Sequence, residues 1–498
     1  MHSNSMLLLS YIILFIYSLA ILLIFLYSLA QLNLLINFMK SKKQADNAPK
    51  FNLSNENEIP LVTVQLPIFN EKYVVKRLLT TVSQLEYPKE KLEIQVLDDS
   101  TDDSIFETKK IIADLQQSGL DIKHISRTNR IGFKAGALKE GLEIAKGEFI
   151  AIFDADFVPK KDWLYQTIPY FKNKKIGVVQ TRWGHLNRNY SLLTKIQAFA
   201  LDAHFTLEQV GRNSQSHFIN FNGTAGVWRK ECILDAGNWE SDTLTEDLDL
   251  SYRAQLKNWK FKYLVDVETP AELPVIISAA RSQQFRWNKG GAENFIKMNR
   301  RIIASKNMSL KTKVHGLLHL LNSSMFLLIF TIAVLSVPIL FIKNEYEHLK
   351  LFFNVLAFFI MTSIIFFVCY WFTFKKIQGG GFKNFLKYMG LFFTFYSIAM
   401  GFSFHNSVAV LEGLWGKKSE FIRTPKFNID ALKNQWKQNI YINKKISKNV
   451  IVEGLLVLYF LFGISSGIHF NDYGLLPFHV MLSVGFGFVF YKSIQESR

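Results

Sequence analysis

Cysteine is almost missing from this chain. Cys232 and Cys369 are the only two, too few for a disulfide framework or a Cys-rich zinc site. Long lysine tracts are also missing, and no DNA-binding motif occurs. The net charge of +17 is therefore not that of a nucleic-acid binder, and no nucleic-acid partner is expected. Nothing basic precedes the first apolar run, and that run is too long for a cleaved signal peptide. Apolar residues, by contrast, make up 49% of the 498 residues. They cluster, and the length suffices for one large folded domain beside several membrane spans.

Residues 6–39 are almost wholly apolar, well beyond the roughly 20 residues a span needs. Lys40, Lys42 and Lys43 follow at once, which assigns that end to the cytoplasm. Four further spans are predicted at 314–342, 351–374, 450–468 and 475–491. The region 385–415 is apolar too, but its flanks are both basic. Lys375, Lys376 and Lys383 stand on one side without an acid, and residues 416–448 hold nine Lys or Arg against Glu420 and Asp430. Both flanks are expected in the cytoplasm, so 385–415 is read as a helix lying in the interface. The loops near Tyr346 and Tyr473 carry little positive charge and suit the outside. Five spans then put the N-terminus outside and the C-terminus inside, in the plasma (inner) membrane, with a Golgi membrane as the alternative.

Between the membrane segments, residues 40–310 read as α/β. Short apolar strands at 61–67, 93–97 and 149–153 alternate with amphipathic helices, which predicts parallel strands with crossover helices. Ligands in such folds sit beyond the carboxyl ends of the strands. Acidic residues stand at or near strand ends or loop junctions: Asp98-Asp99-Ser100, Asp154-Ala155-Asp156 and Thr245-Glu246-Asp247. Gln283, Arg286 and Trp287 come later, near the return to the membrane. Two carboxylates at i and i+2 beyond a strand can hold a hard divalent cation whose shell diphosphate oxygens complete. A nearby Arg helps offset the leaving group's charge, and a separate carboxylate can take a proton from an attacking hydroxyl. Blander readings exist for each. A lone Asp-x-Asp is more often a solvated turn, Asp98-Asp99 and Glu246-Asp247 could cap helices, Arg130 and Lys134 could be surface charge, and Trp287 could be interfacial packing. Their joint order on one α/β domain flanked by spans favours chemistry.

In that order the chain resembles the family 2 inverting glycosyltransferases, in the branch of the cellulose and hyaluronan synthases. It is most similar to the plant cellulose-synthase-like mannan and xyloglucan-backbone synthases. The resemblance runs from about Leu61 to Lys426. It rests on Gln65-Leu66-Pro67-Ile68-Phe69-Asn70-Glu71, Gln95-Val96-Leu97-Asp98-Asp99-Ser100-Thr101-Asp102 and Gly132-Phe133-Lys134-Ala135-Gly136-Ala137-Leu138. It continues through Ile152-Phe153-Asp154-Ala155-Asp156-Phe157, Phe221-Asn222-Gly223-Thr224-Ala225-Gly226 and Thr245-Glu246-Asp247-Leu248-Asp249-Leu250. It implies a GT-A type nucleotide-sugar-binding domain over 40–310. That domain would sit between an N-terminal transmembrane helix (1–39) and a membrane part made of 311–374 (two spans), 375–448 (interface helix and gating-like loop) and 449–498 (two spans and a short tail).

The resemblance also implies roles. Asp98 and Asp99 would meet the nucleotide, and Lys134 would lie near its phosphates. Asp154 and Asp156 would bind the diphosphate and Mg or Mn. Asp247 would be the catalytic base, with Glu246 beside it. Gln283, Arg286 and Trp287 would bind the diphosphate and the chain terminus. Phe221, Asn222, Gly223 and Thr224 resemble an acceptor-side loop, although Asn222 and Thr224 depart from the Cys and Ser common there. Phe421-Ile422-Arg423-Thr424-Pro425-Lys426 resembles the gating loop, with Arg423 in place of Val. The partners implied are a nucleotide-diphosphate sugar (UDP-glucose or GDP-mannose), a β-linked, expectedly β-1,4, polysaccharide acceptor and membrane lipid. No cyclic-dinucleotide-sensing domain or Cys-rich ring accompanies the spans, so control of those kinds is not expected. A non-processive enzyme adding one sugar to a lipid is the nearest rival, and an inactive membrane scaffold is the more distant one.

Overall fold

The computed structural model describes residues 2–41, 49–51, 58–429, 439–442 and 447–497. Lys42, Lys43, Asp430, Lys433, Lys437, Lys444 and Lys445, which enter the charge argument, lie outside the described residues.

The α/β part is built on seven strands: β1 (Val62–Ile68), β2 (Leu92–Asp98), β3 (Asp121–Ser126), β4 (Phe149–Ile152), β5 (Ile176–His185), β6 (Gly226–Arg229) and β7 (Lys260–Ala271). They lie in the order β3-β2-β1-β4-β6-β5-β7. The sheet is covered on both faces. Phe149 and Ala151 of β4 enter one core with Val64, Leu66, Leu78 and Trp163, while Ile150 and Ile152 enter the other with Leu138, Leu142 and Trp228. This two-sided burial is why the strand reads as an unbroken apolar run rather than an alternating one. Polar residues inside the sheet are paired across the β1–β2 register: Thr63 Oγ1 donates to Glu93 Oε2 at 2.6 Å and Gln65 Nε2 to Gln95 Oε1 at 3.0 Å.

The expectation of parallel strands needs one correction, because β6 runs antiparallel to both β4 and β5. The loop before it delivers the chain to the carboxyl end of β4, where Ala225 N donates to the Ile152 carbonyl. A strand leaving from there can only run back. The same connection sets residues 221–224 at the ligand-binding edge of the sheet.

Among the described residues, five helices are long and apolar enough to cross a membrane: Ser5–Ser41, Ser324–Glu345, Glu347–Gln378, Lys448–His469 and Leu476–Ser497. The span expected at 314–342 is divided. Leu310–Leu320 is a separate helix, and the chain restarts at Ser324. The reason is polar: His315 pairs with Asn33 of the first helix at 3.1 Å, and His319 with the Tyr252 hydroxyl at 2.9 Å, so this turn of chain packs against protein. The region expected as one interface helix is a pair, Phe382–Gly401 and Ser403–Leu414, bent by 51°.

Polar contacts sort the helix ends. Lys376 pairs with Asp266 of β7 at 3.4 Å, Glu453 with Arg281, and Glu496 Oε2 accepts from Ile277 N at 2.7 Å. The opposite ends meet each other through Lys343 and Asp472 at 2.6 Å.

Where Phe382–Gly401 crosses Leu476–Ser497, backbone touches backbone. A Cβ on Gly485 would lie 1.9 Å from the Ser397 carbonyl oxygen. Gly485→Leu is expected to force these helices apart at a cost of about 3 kcal/mol. The detergent-solubilised variant should melt several degrees lower, and an unchanged melting temperature would remove this crossing as a packing point.

Candidate active site

The carboxyl ends of β1, β2 and β4 converge with two helices, Glu246–Leu256 and Ile277–Ala304. At the end of β2 the paired aspartates divide. Asp98 is turned inward, accepts from Ser100 N at 2.9 Å and meets His124 Nε2 at 2.8 Å. It shapes the turn. Asp99 faces the mouth and is gripped at both oxygens by Arg127, Nε to Oδ1 at 2.9 Å and Nη2 to Oδ2 at 2.5 Å. Arg130 stacks over the Phe69 ring at 3.4 Å, so it is not loose surface charge.

Past β4, Asp154 N donates to Thr224 Oγ1 at 2.8 Å, and its Oδ1 accepts from Lys134 Nζ at 2.5 Å. Lys134 also donates to the Gly223 carbonyl at 2.8 Å. Burial works against the lysine's charge, but Asp154 outweighs it with help from Glu246 and Asp247, and the pKa is raised. Asp156 is almost fully buried. One oxygen meets Lys426 Nζ at 2.8 Å, while Oδ1 has no hydrogen-bond partner. Burial, the leading cause, raises its pKa against the pull of Lys426. A partly exposed carboxylate and an orphaned buried oxygen two residues apart fit a hard, oxygen-seeking divalent cation.

Asp247 stands in the first turn of Glu246–Leu256. Gly223, at φ +77°, passes so close that a Cβ there would sit 3.2 Å from Asp247 Oδ2. The left-handed backbone and the crowding both call for glycine. Burial first, then the charge of buried Glu246, push the Asp247 carboxyl up to about 7, against the opposing pull of Lys134 and Arg286. The Ile277–Ala304 helix is pressed onto this turn at Gly290, where a Cβ would lie 2.5 Å from Thr245 Oγ1. Asn294 Nδ2 donates to Thr245 Oγ1 at 3.0 Å and Leu244 N to Glu293 Oε2 at 2.7 Å. That contact carries Arg286 and Trp287 to the site. The Arg286 guanidinium lies 4.9 Å above the Phe421 ring. Neither Gln283 nor the Trp287 indole has a hydrogen-bond or ring partner among the described residues, and both are partly exposed.

The structure brings Asp99, Lys134, Asp154, Asp156, Gly223, Glu246, Asp247 and Arg286 together. It does not bring Phe221 to the surface: the ring is fully buried against Trp228, 5.5 Å away. Asn222 Oδ1 is held by Gln209 at 3.1 Å and Asn220 at 2.8 Å. Thr224 is buried and acts on Asp154 from behind. Sequence reasoning missed Arg127, whose only signal was its place just past the end of β3. It also assigned no role to Glu71, a buried carboxylate that pairs with Arg423 at 2.9 Å. Burial raises Glu71 to about 7 despite Arg423.

Paired carboxylates beyond a strand, each with a lysine on it, and a separate carboxylate at a helix start thus converge in a domain joined to helices long and apolar enough to cross a membrane. Residues 60–290 match the family model described as "Glycosyltransferase like family 2". Over these residues, a little under half of the chain, it is similar to the family 2 glycosyltransferases. It is 42% identical over 290 residues to glucomannan 4-beta-mannosyltransferase 1 of Cyamopsis tetragonoloba, covering 57% of this chain and 55% of that one. It is 44% identical over 261 residues to glucomannan 4-beta-mannosyltransferase 9 of Arabidopsis thaliana, covering 51% and 49%. The chain thus spans about half the length of the curated relatives it matches. Among solved structures, a mannosyltransferase of Pyrobaculum calidifontis in complex with GDP-Man and Mn2+ superposes with a TM-score of 0.50 at 17% identity. The match covers 79% of this chain and all of that one, a likeness of fold.

Proposed function

We propose that this chain is a processive, inverting hexosyltransferase that moves mannose from GDP-mannose onto a growing β-1,4-linked polysaccharide at the cytosolic membrane face. One observation carries the reading: Asp247 faces the Lys134–Asp154 pair across Gly223, on a turn clamped by the helix that bears Arg286 and Trp287. Asp247 takes the proton from the acceptor hydroxyl as that oxygen displaces the nucleotide. Direct displacement inverts the anomeric carbon, so an α-linked donor gives a β-linked product. Lys134 and Arg286 offset the charge gathering on the leaving diphosphate. A divalent cation, Mg or Mn, fits between Asp154 and Asp156 and would supply further charge compensation there. The choice of mannose is supported by the names of the curated relatives. Radiolabelled GDP-mannose and UDP-glucose offered to purified enzyme, with product length measured, test it. Incorporation of glucose alone, or of a single sugar into lipid, would overturn it.

The helix-end contacts support five spans with 382–414 not crossing. The ends at Lys376, Glu453 and Glu496 all meet the α/β domain or its adjoining helix. The N-terminus is then outside, the C-terminus inside and the catalytic domain cytosolic, in a plasma membrane. Labelling of a cysteine at position 437 from outside intact cells would contradict this.

The Trp287 indole serves as the acceptor platform. A flat apolar face suits the C–H face of a pyranose and lets the chain slide. Trp287→Ala is expected to shorten the polymer about tenfold, which corresponds to ~1.4 kcal/mol of acceptor binding, with donor binding kept. Full-length polymer from a well-folded variant would show that the ring does not hold the acceptor.

A further inference from the structure

Residues 419–429 cross the mouth of the donor pocket without regular secondary structure. This strap is fastened along its length, and two of the fastenings are its own cations on the pocket's carboxylates. Lys426 Nζ lies 2.8 Å from Asp156 Oδ2. Arg423 Nη1 lies 2.9 Å from Glu71 Oε2 and donates to the Phe69 and Asn70 carbonyls at 2.9 and 2.6 Å. Further along, Glu272 accepts the backbone N–H groups of Phe427, Asn428 and Ile429 and is itself paired with Arg77 at 2.7 Å. Phe421 stacks on Phe133 at 5.8 Å and lies under Arg286.

Asp154, Asp156, Glu71 and Glu272 therefore each have a cation of their own. Lys134 on Asp154 and Arg77 on Glu272 come from the α/β domain, whereas Lys426 and Arg423 come from the strap. Asp156 is also the carboxylate with a buried oxygen still unpaired. A lysine ammonium and a divalent cation on one buried carboxylate repel each other strongly where water cannot screen them.

We infer that Lys426 is a counter-charge latch. It neutralises Asp156 before a divalent cation binds and competes with that cation for the carboxylate. This inference rests on the reading of Asp154 and Asp156 as the cation pair. Arg423 remains as the hinge-side fastening through two backbone carbonyls that no cation competes for.

The test is Mn2+ binding by the full chain in detergent, without donor, read as loss of the free-ion electron paramagnetic resonance signal. Lys426→Met and Lys426→Gln should each bind Mn2+ about tenfold more tightly than the parent, and Lys426→Arg, which keeps the charge, should stay within about twofold. Asp156→Asn should abolish binding with or without Lys426→Met. Unchanged or weaker Mn2+ affinity in both neutral variants, with Asp156→Asn still blocking binding, overturns the latch alone. Mn2+ binding that survives Asp156→Asn overturns the cation-pair reading and the latch with it.

Discussion

Asp247→Asn is expected to slow sugar transfer by on the order of 10²–10⁴-fold while leaving donor binding largely intact. The separation of roles follows from position. Asp154 and Asp156 lie past β4 with lysines on their oxygens, whereas Asp247 comes from another element and reaches the site across Gly223. Isosteric loss of the carboxylate removes the proton acceptor without opening the pocket. Donor binding measured by isothermal titration beside turnover checks both halves, and near-normal turnover would take Asp247 out of the reaction. The pH profile gives a second readout. Burial and Glu246 raise the Asp247 carboxyl to about 7, and only the deprotonated form accepts a proton. Turnover should therefore be full above that value and fall about tenfold per unit below it. Glu246→Gln removes the neighbouring negative charge, so the inflection should move to lower pH. A shift upward would contradict the assignment.

Removal of divalent cations should reduce transfer by about 10²–10³-fold, the cost typical of losing one preorganised group that offsets developing charge. The expectation rests on the orphaned Oδ1 of buried Asp156 beside half-open Asp154. Excess chelator should stop incorporation, and added Mg or Mn should restore it. Asp156→Ala should not be rescued by either ion at ordinary concentration. Asp154→Ala should show a compound defect, because that carboxylate also holds Lys134 and, through its backbone, Thr224. Full activity in chelator would exclude the cation.

Much of the α/β domain was legible because strands buried on both faces leave continuous apolar runs. The three strands expected at 61–67, 93–97 and 149–153 lie within a residue of β1, β2 and β4. The apolar segments were legible for the same reason of composition, but their limits were not. A single span was expected at 314–342, and only the partners of His315 and His319, Asn33 and Tyr252, explain why the chain breaks between Leu320 and Ser324. The reversal of β6 had no local signal, since a four-residue strand reads alike in either direction.

Within the site, the order of motifs carried the acidic residues but not their division of labour. Asp98 and Asp99 are adjacent and identical in type. Their opposite fates depend on His124 and Arg127, which reach them from β3 and the loop beyond it. Phe221 shares a motif with Gly223, yet the ring joins the core while the glycine, with its left-handed backbone, passes against Asp247. By itself, the sequence determined that an α/β domain lies between segments long and apolar enough to cross a membrane, and which carboxylates stand at its strand ends. Apolar periodicity and strand-end position are local properties of a chain. Which carboxylate meets Arg127, which meets Lys426 and which stays apart was decided only by the tertiary structure. A buried charge is defined by the counter-charge that long-range folding brings within hydrogen-bond distance, and no local pattern encodes that partner.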